Sequence, residues 1–293
     1  MYDSSSSVKR CAFPTHSIVA WSLLFSVAAL SPGLIACDTP PPQSPTSYTE
    51  DAKKAFDRAM VEFDAHNWLD AQVILREVKR KYGYSKYGRL AELRIADADF
   101  EQDKFAESIR GYKQFIHVYR GDSADAVYAR ARIAEAQYRE INDSFLLPAS
   151  EERDQSVVRD AYRDLRAFVK DHSNAKEAPR ICGLLYDVSE KLVRHELSIA
   201  EFYLARDKFD AAIARLQTAI RNYAGAVRCK PDIAAKTDGA IAEAFIRLGE
   251  TYLKMRKPDD ARVVFVALLE TFPESGHTAA ARGYLERLSK PKG

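Results

Sequence analysis

The sequence predicts an all-α fold, a solenoid of about five helix pairs closed by a C-terminal capping helix. Three observations predict it. Five small residues, Ala71, Ser108, Ala161, Ala212 and Ala261, head windows that agree offset by offset. Four positions after each stands a large apolar residue: Leu75, Tyr112, Leu165, Leu216 and Phe265. Eleven positions after each stands a ring: Tyr82, Tyr119, His172, Tyr223 and Phe272. Val78, Phe115, Phe168, Ala219 and Leu268, seven positions on, complete a face, because residues at i, i+4 and i+7 lie on one side of a helix. Self-similarity at a long fixed period is the mark of a stacked array.

Each window predicts a pair of antiparallel helices. Three residues before the anchors lie Trp68, Phe105, Val158, Phe209 and Pro258, which continue the pattern upstream. Twelve residues before, a small residue recurs as Ala59, Ala96, Ala200 and Gly249, one helix back, so the two helices of a pair can approach closely. The third window lacks it because an insertion, residues 142–155, separates its helices. The anchor spacings are 37, 53, 51 and 49 residues. The excess over ~34 residues must lie in loops or lengthened helices. Two loops are candidates: residues 142–155, and 224–238 with Gly225, Cys229 and Pro231. A last helix over about 278–288 carries Ala281, Leu285 and Leu288 on one face and caps the array. Adjacent pairs should bury a continuous core and leave a concave surface for extended segments. The pattern resembles the tetratricopeptide repeat, with Pro273 in the place of that repeat's terminal proline. Gly83, Arg120, Ser173 and Ala224 replace proline in the other windows.

The N-terminus predicts a different fate for the first residues. Lys9 and Arg10 form a positive n-region, residues 12–30 an apolar stretch, and Ser31-Pro32-Gly33 a break. Residues 1–36 therefore read as a secretory signal, too short and wrongly flanked to span a membrane. Leu34-Ile35-Ala36-Cys37 fits a lipobox. This implies diacylglycerol on the Cys37 thiol, cleavage before Cys37 and an acyl chain on its new amino group. Several chains anchor stably, since each buried methylene contributes roughly 0.8 kcal/mol. Residues 37–49 follow as a lipidated, Pro-rich tether, with Pro40, Pro41, Pro42 and Pro45, extended at about 3.1 Å per residue. Beyond it we divide the array into N-terminal repeats (50–141), the insertion (142–155), and C-terminal repeats with the cap (156–293).

Composition narrows the function. Without Lys9, Arg10 and Asp3 of the signal, the 44 basic and 42 acidic residues become 42 and 41. No basic block or acidic tail is present, which argues against nucleic acid as a partner. Of the four cysteines, Cys11 lies in the signal and Cys37 is the lipid site. Cys182 and Cys229 either pair in an oxidising compartment or stand as a buried thiol and a loop thiol. The search for catalytic chemistry comes back empty. His195-Glu196 has no second histidine at zinc-protease spacing, and no phosphate-cradling glycine loop or nucleophile elbow occurs. Glu151-Glu152 and Asp259-Asp260 sit at loop or helix-start positions, where carboxylates favour the helix dipole. No metal site and no cofactor beyond the lipid on Cys37 is expected, and the chain reads as a non-enzyme.

A more specific resemblance runs through the fourth window. Leu192-Val193-Arg194-His195-Glu196, then Ile199-Ala200-Glu201-Phe202-Tyr203, then Arg206 through Phe209 and Ala211-Ala212-Ile213-Ala214-Arg215-Leu216 follow one pattern. They resemble the fourth repeat of the BamD (ComL) family of outer-membrane assembly lipoproteins. Asp143-Ser144 and Arg153-Asp154-Gln155 match the ends of that family's long loop. The resemblance covers residues 52 to about 284. The chain departs from the family in lacking most Tyr-Pro pairs at repeat ends, in a shorter 142–155 and in a longer 224–238.

The resemblance implies a non-catalytic, periplasm-facing scaffold of the outer-membrane β-barrel assembly machine. Its C-terminal repeats would hold the periplasmic domains of the central barrel assembly protein. Its N-terminal repeats would receive C-terminal signals of unfolded outer-membrane proteins, an aromatic and a carboxylate that Tyr and Arg side chains can bind. Arg215 carries over as a partner contact, with Arg194 and Arg206 as neighbours. An intra-repeat ion pair is the competing reading of Arg215. The implied location is the periplasmic face of the outer membrane, although Asp38, after the lipid cysteine, signals inner-membrane retention under enterobacterial sorting. Two other readings stay open: a repeat lipoprotein serving peptidoglycan enzymes or the Tol system, and a pilotin for secretin or pilus assembly.

Overall fold

The computed structural model describes residues 45–119, 121, 123–141, 154–229 and 239–290. Among them are eleven α-helices and one 3-10 helix. The helices are α1 (Pro45–Asp64), α2 (Trp68–Lys81), α3 (Lys86–Glu101), α4 (Phe105–Val118), α5 (Ala124–Arg139) and α6 (Ser156–Asp171). Then come α7 (Ala178–Leu204), α8 (Phe209–Tyr223), the 3-10 segment Ala224–Cys229, α9 (Ala240–Lys254), α10 (Pro258–Thr271) and α11 (His277–Ser289). Each helix packs on the next in chain order, giving five pairs with α11 laid against α10 and α9. Ten repeat helices and a cap are what the windows predict.

The anchors explain the pairing. All five anchor residues, and all five residues four positions on, are sealed from solvent. Trp68, Phe105, Phe209 and Pro258 are the first residues of α2, α4, α8 and α10. The rings eleven positions after the anchors end second helices: Tyr82, Tyr119, His172 and Phe272 are C-caps of α2, α4, α6 and α10 whose N–H groups donate to the carbonyl four residues back at 2.8–2.9 Å. Between the helices of four pairs the chain turns through one left-handed residue, His66, Asp103, Asp207 or Arg256, at φ 61°, 58°, 55° and 59°. In the first pair Asn67 N–H reaches Glu62 O at 2.9 Å and His66 N–H reaches Phe63 O at 3.0 Å. This is the Schellman closure of a helix C-terminus, and it recurs in each of the four turns.

The long spacings have three sources. Of the insertion 142–155 only Asp154 and Gln155 are described. The 51-residue spacing comes from neither candidate loop: α7 is 27 residues long, and its added turns take up the excess. The segment 224–238 begins with the 3-10 helix, whose Cys229 is disulfide-bonded to Cys182 on α7, 47 residues away in sequence. The pairing that the sequence left open is thus made.

Two expectations need correction. The tether drawn over 37–49 runs into α1, which starts at Pro45. Proline fits a first helical position, where no N–H is needed, and Tyr48 is held there by its hydroxyl on Lys81 O at 3.2 Å and its ring edge-on to Tyr82. The core is also not continuous. It falls into three clusters, one spanning α1, α2 and α3, one centred on α3, α4 and α5, and one from α5 to α11. Polar side chains separate them. Between α2 and α3, Gln72 donates to Asp99 at 2.6 Å. Between the second and third clusters, Arg132 donates to Glu101 at 2.8 Å and Glu135 at 3.2 Å, and Arg180 of α7 reaches the same Glu135. Asp97, buried beneath them, accepts from Tyr128 at 3.0 Å and from Tyr112.

First helices touch at three of the four steps, α1 with α3, α5 with α7 and α7 with α9. Among the described residues consecutive second helices stand further apart, with α6 and α8 meeting where Tyr162 bonds Asn222 O and its ring meets Tyr223. The first helices therefore line the inner side. The second helices splay outward, and open grooves lie between them.

Candidate functional site

The residues singled out by the sequence sit on α7, on α8 and in the turn between them. Arg215 lies on α8 between the buried Ala212 and Leu216, so its side chain leaves the edge of the packed face. Its Nη1 lies 3.4 Å from Oε2 of Glu196 on α7. The Glu196 side chain is 12% exposed and that of Arg215 44% exposed. The ion pair is real, and the Arg215 side chain that makes it is still partly exposed. A guanidinium has five donors in a planar fork, and only Nη1 is engaged among the described residues.

Arg194 is placed differently. It lies 3.9 Å from Glu190 one turn back on α7. Glu190 in turn accepts the backbone N–H groups of Ala240 at 2.7 Å and Ile241 at 3.3 Å, capping the N-terminus of α9. A carboxylate there satisfies orphan donors and complements the helix dipole. Arg194 thus steadies a cap that joins the fourth pair to the fifth. Sequence reasoning missed it, because the partners stand 50 and 51 residues apart in the chain.

Arg206 stacks 3.5 Å over the ring of Phe202 and donates to Phe202 O at 2.9 Å. Phe202 is 53% exposed, so the pair forms an aromatic-cationic knob on the surface. α7 runs ten residues past Arg194, about 15 Å of helix axis, and Arg206 lies in the turn beyond its end. The three arginines are three contacts along one ridge, with three different partners, and do not form one pocket.

Another arginine belongs to this ridge and carried no sequence signal. Arg247 on α9 lies 3.8 Å from Glu201 on α7, and it also approaches Glu243 and Glu250 on its own helix. It joins the fourth pair to the fifth on the inner side.

At the opposite end of the array, α1 and α2 enclose a cleft of about 270 Å³. Ala55, Ile74, Val78 and Tyr82 give it an apolar wall, and Lys54, Arg58 and Lys81 stand at its rim. Lys81 is held by Glu77 at 2.6 Å. Lys54 and Arg58 form no ion pair among the described residues. The cleft has the chemistry to hold an apolar or aromatic side chain next to a carboxylate.

Cys37, the expected lipid site, lies outside the described residues. Among those residues no group of His, Cys, Asp and Glu is arranged to hold a metal ion. None of the helices is long and apolar enough to cross a membrane.

A helical-repeat array with an ion-paired ridge at one end and a cleft at the other defines a class: binding scaffolds of the tetratricopeptide-repeat type. The repeat's own family model matches residues 243–275. The chain belongs to the YfiO outer-membrane lipoprotein family, whose model matches residues 49–258. As a member it is a scaffold and not an enzyme. Curated relatives agree over most of their length. A protein of Vibrio cholerae serotype O1, named outer membrane protein assembly factor BamD, is 24% identical over 70% of this chain and 81% of its own. The proteins of the same name from Pasteurella multocida and Neisseria meningitidis serogroup A are 25% and 22% identical. They cover 78% and 76% of this chain and 80% of their own length each.

Proposed function

We propose that this protein is an assembly factor for outer-membrane β-barrel proteins, held at the periplasmic face of the outer membrane by lipid on Cys37. In this reading the C-terminal repeats bind the periplasmic domains of the central barrel assembly protein. The N-terminal repeats receive C-terminal signals of unfolded outer-membrane proteins.

The observation that carries the reading is the family match, which runs from α1 to the start of α10 and takes in nearly all of the repeat array. Two features support its finer parts. The partly exposed Arg215 has donors to spare for a partner carboxylate. The cleft of the first pair places the rim cations Lys54 and Arg58 beside an apolar wall, which suits an aromatic residue close to a C-terminal carboxylate.

A photo-crosslinking amino acid at position 215, activated in membranes, tests the partner. Capture of a large outer-membrane barrel protein with repeated periplasmic domains is the expected result. Capture of a peptidoglycan enzyme, a Tol component or a secretin would overturn it. The anchor is tested separately: Cys37→Ala should abolish acylation, and acylated Cys37→Ala protein would exclude this site. Density-gradient fractionation of the wild type decides between outer-membrane location and the retention signalled by Asp38.

A further inference from the structure

Between α6 and α8, on the outer side of the array, lies an open groove of about 340 Å³. It runs away from the Arg215 ridge, toward the C-terminal end of α8. Its floor is apolar, made by Leu185 of α7 and the Cys182–Cys229 disulfide. Its walls are cationic. Arg166 and Lys170 project from α6, and Arg221 and Arg228 from α8 and the 3-10 segment.

Among the described residues no carboxylate lines this groove. None of the four cations forms an ion pair among the described residues. One turn earlier on the same side of α6, Arg163 is paired, 2.9 Å from Asp160 and 3.1 Å from Asp164, whereas Arg166 and Lys170 are not. The chain as a whole is nearly neutral, with 44 basic and 42 acidic residues. Four uncompensated charges in one recess are therefore a local departure. Arg166 and Lys170, four residues apart on a helix, repel each other unless a counter-charge arrives.

The walls are held open by named contacts. The Tyr162 hydroxyl donates to Asn222 O at 2.6 Å and fixes α6 against α8. The disulfide fastens the end of the 3-10 segment to α7 and so holds Arg228 at the groove edge. Cations on two facing walls above an apolar floor do not make the flat surface that suits a bilayer. The recess is also larger than one phosphate needs. The arrangement suits a chain whose acidic side chains point to the walls while apolar ones rest on the floor.

We propose that the groove between α6 and α8 binds an acidic, partly apolar segment of a partner protein, with the Cys182–Cys229 disulfide holding one wall in place. This goes beyond the assembly reading and does not depend on it, because it uses neither Arg215 nor the cleft of the first pair.

The test is fluorescence anisotropy on the full oxidised protein with a short labelled peptide alternating Asp and Leu, and with its Asn-for-Asp counterpart. The Asp peptide should bind and weaken as salt rises, and the Asn peptide should bind far less. The double variant K170E/R228E should lose roughly tenfold or more in affinity, with its circular dichroism unchanged. R110E, on α4 outside the groove, should bind like wild type. Equal binding of both peptides, or full affinity in K170E/R228E, would overturn the proposal. So would displacement of the Asp peptide by anionic vesicles or by inorganic phosphate at comparable concentration, which would assign the groove to a lipid surface or a free anion. Reduction of the disulfide should weaken binding as well, and undiminished affinity after reduction would overturn the part given to it.

Discussion

A methyl group on Gly249 would stand 2.3 Å from Cε1 of Phe265. Gly249 on α9 and Phe265 on α10 are the fifth pair's versions of the small and large residues that recur in four of the five windows. Here the large one is a ring, and only a residue without Cβ leaves room for it. Gly249→Ala should destabilise the protein by about 1–3 kcal/mol through overpacking, read as a lower melting temperature. Adding Phe265→Leu should recover part of the loss. Wild-type stability in Gly249→Ala would contradict this packing.

Arg256 holds a left-handed backbone, φ 59°, in the turn between α9 and α10. That conformation costs a residue with Cβ about 1–2 kcal/mol, and glycine adopts it freely at some cost in unfolded-state entropy. Arg256→Gly should therefore raise stability by about 0.5–1 kcal/mol in urea unfolding. A destabilised variant would mean that the Arg256 side chain makes a contact worth more than the strain.

Arg132 sits 3.6 Å over the ring of Phe100 and faces Asp97, Glu101 and Glu135. Arg132→Met keeps much of the volume and takes one cation from Asp97 and Glu135, which keep Arg94 and Arg180, and the cation from Glu101. Leaving a buried charge wholly unpaired costs about 3–5 kcal/mol, and the remaining arginines hold the loss below that. The variant should unfold at markedly lower urea, and adding Asp97→Asn should recover part of the loss. An additive double variant would show that the two side chains are not coupled.

The same network predicts an alkaline limit. Burial, and then the charge of Asp97, push the Tyr128 phenol up to about 12 from the ordinary 10.0, and burial raises Tyr112 as well. A raised folded pKa favours the protonated native state. Its stabilising contribution is whole below pH 10 and is lost as pH rises from 10 through 12. Urea midpoints measured at pH 9, 10, 11 and 12 should hold and then fall, and Tyr128→Phe should flatten part of the decline. An equal decline in Tyr128→Phe would place the alkaline loss elsewhere.

The ridge and the cleft differ in how far the sequence reveals them. Arg215 could be found because it follows a local pattern, Ala212-Ile213-Ala214-Arg215, within one helix. Glu190 capping α9, Arg247 reaching Glu201 and the cations facing one another across the α6–α8 groove left no such trace. Their partners lie on different helices, and helical periodicity carries no information about which exposed polar residues meet.

What the sequence by itself determined was the array: five pairs and a cap, with the buried anchors and the large apolar residues four positions on. It could do so because burial of one helix face imposes a spacing that is visible in the chain. Only the tertiary structure decided that Cys182 pairs with Cys229, that added turns of α7 fill the 51-residue spacing, and that Gln72, Asp97 and Arg132 divide the core. A disulfide, an ion pair or a cap depends on where two helices come to rest against each other. That is fixed by packing across the whole array, at separations where a one-dimensional pattern has no period to show.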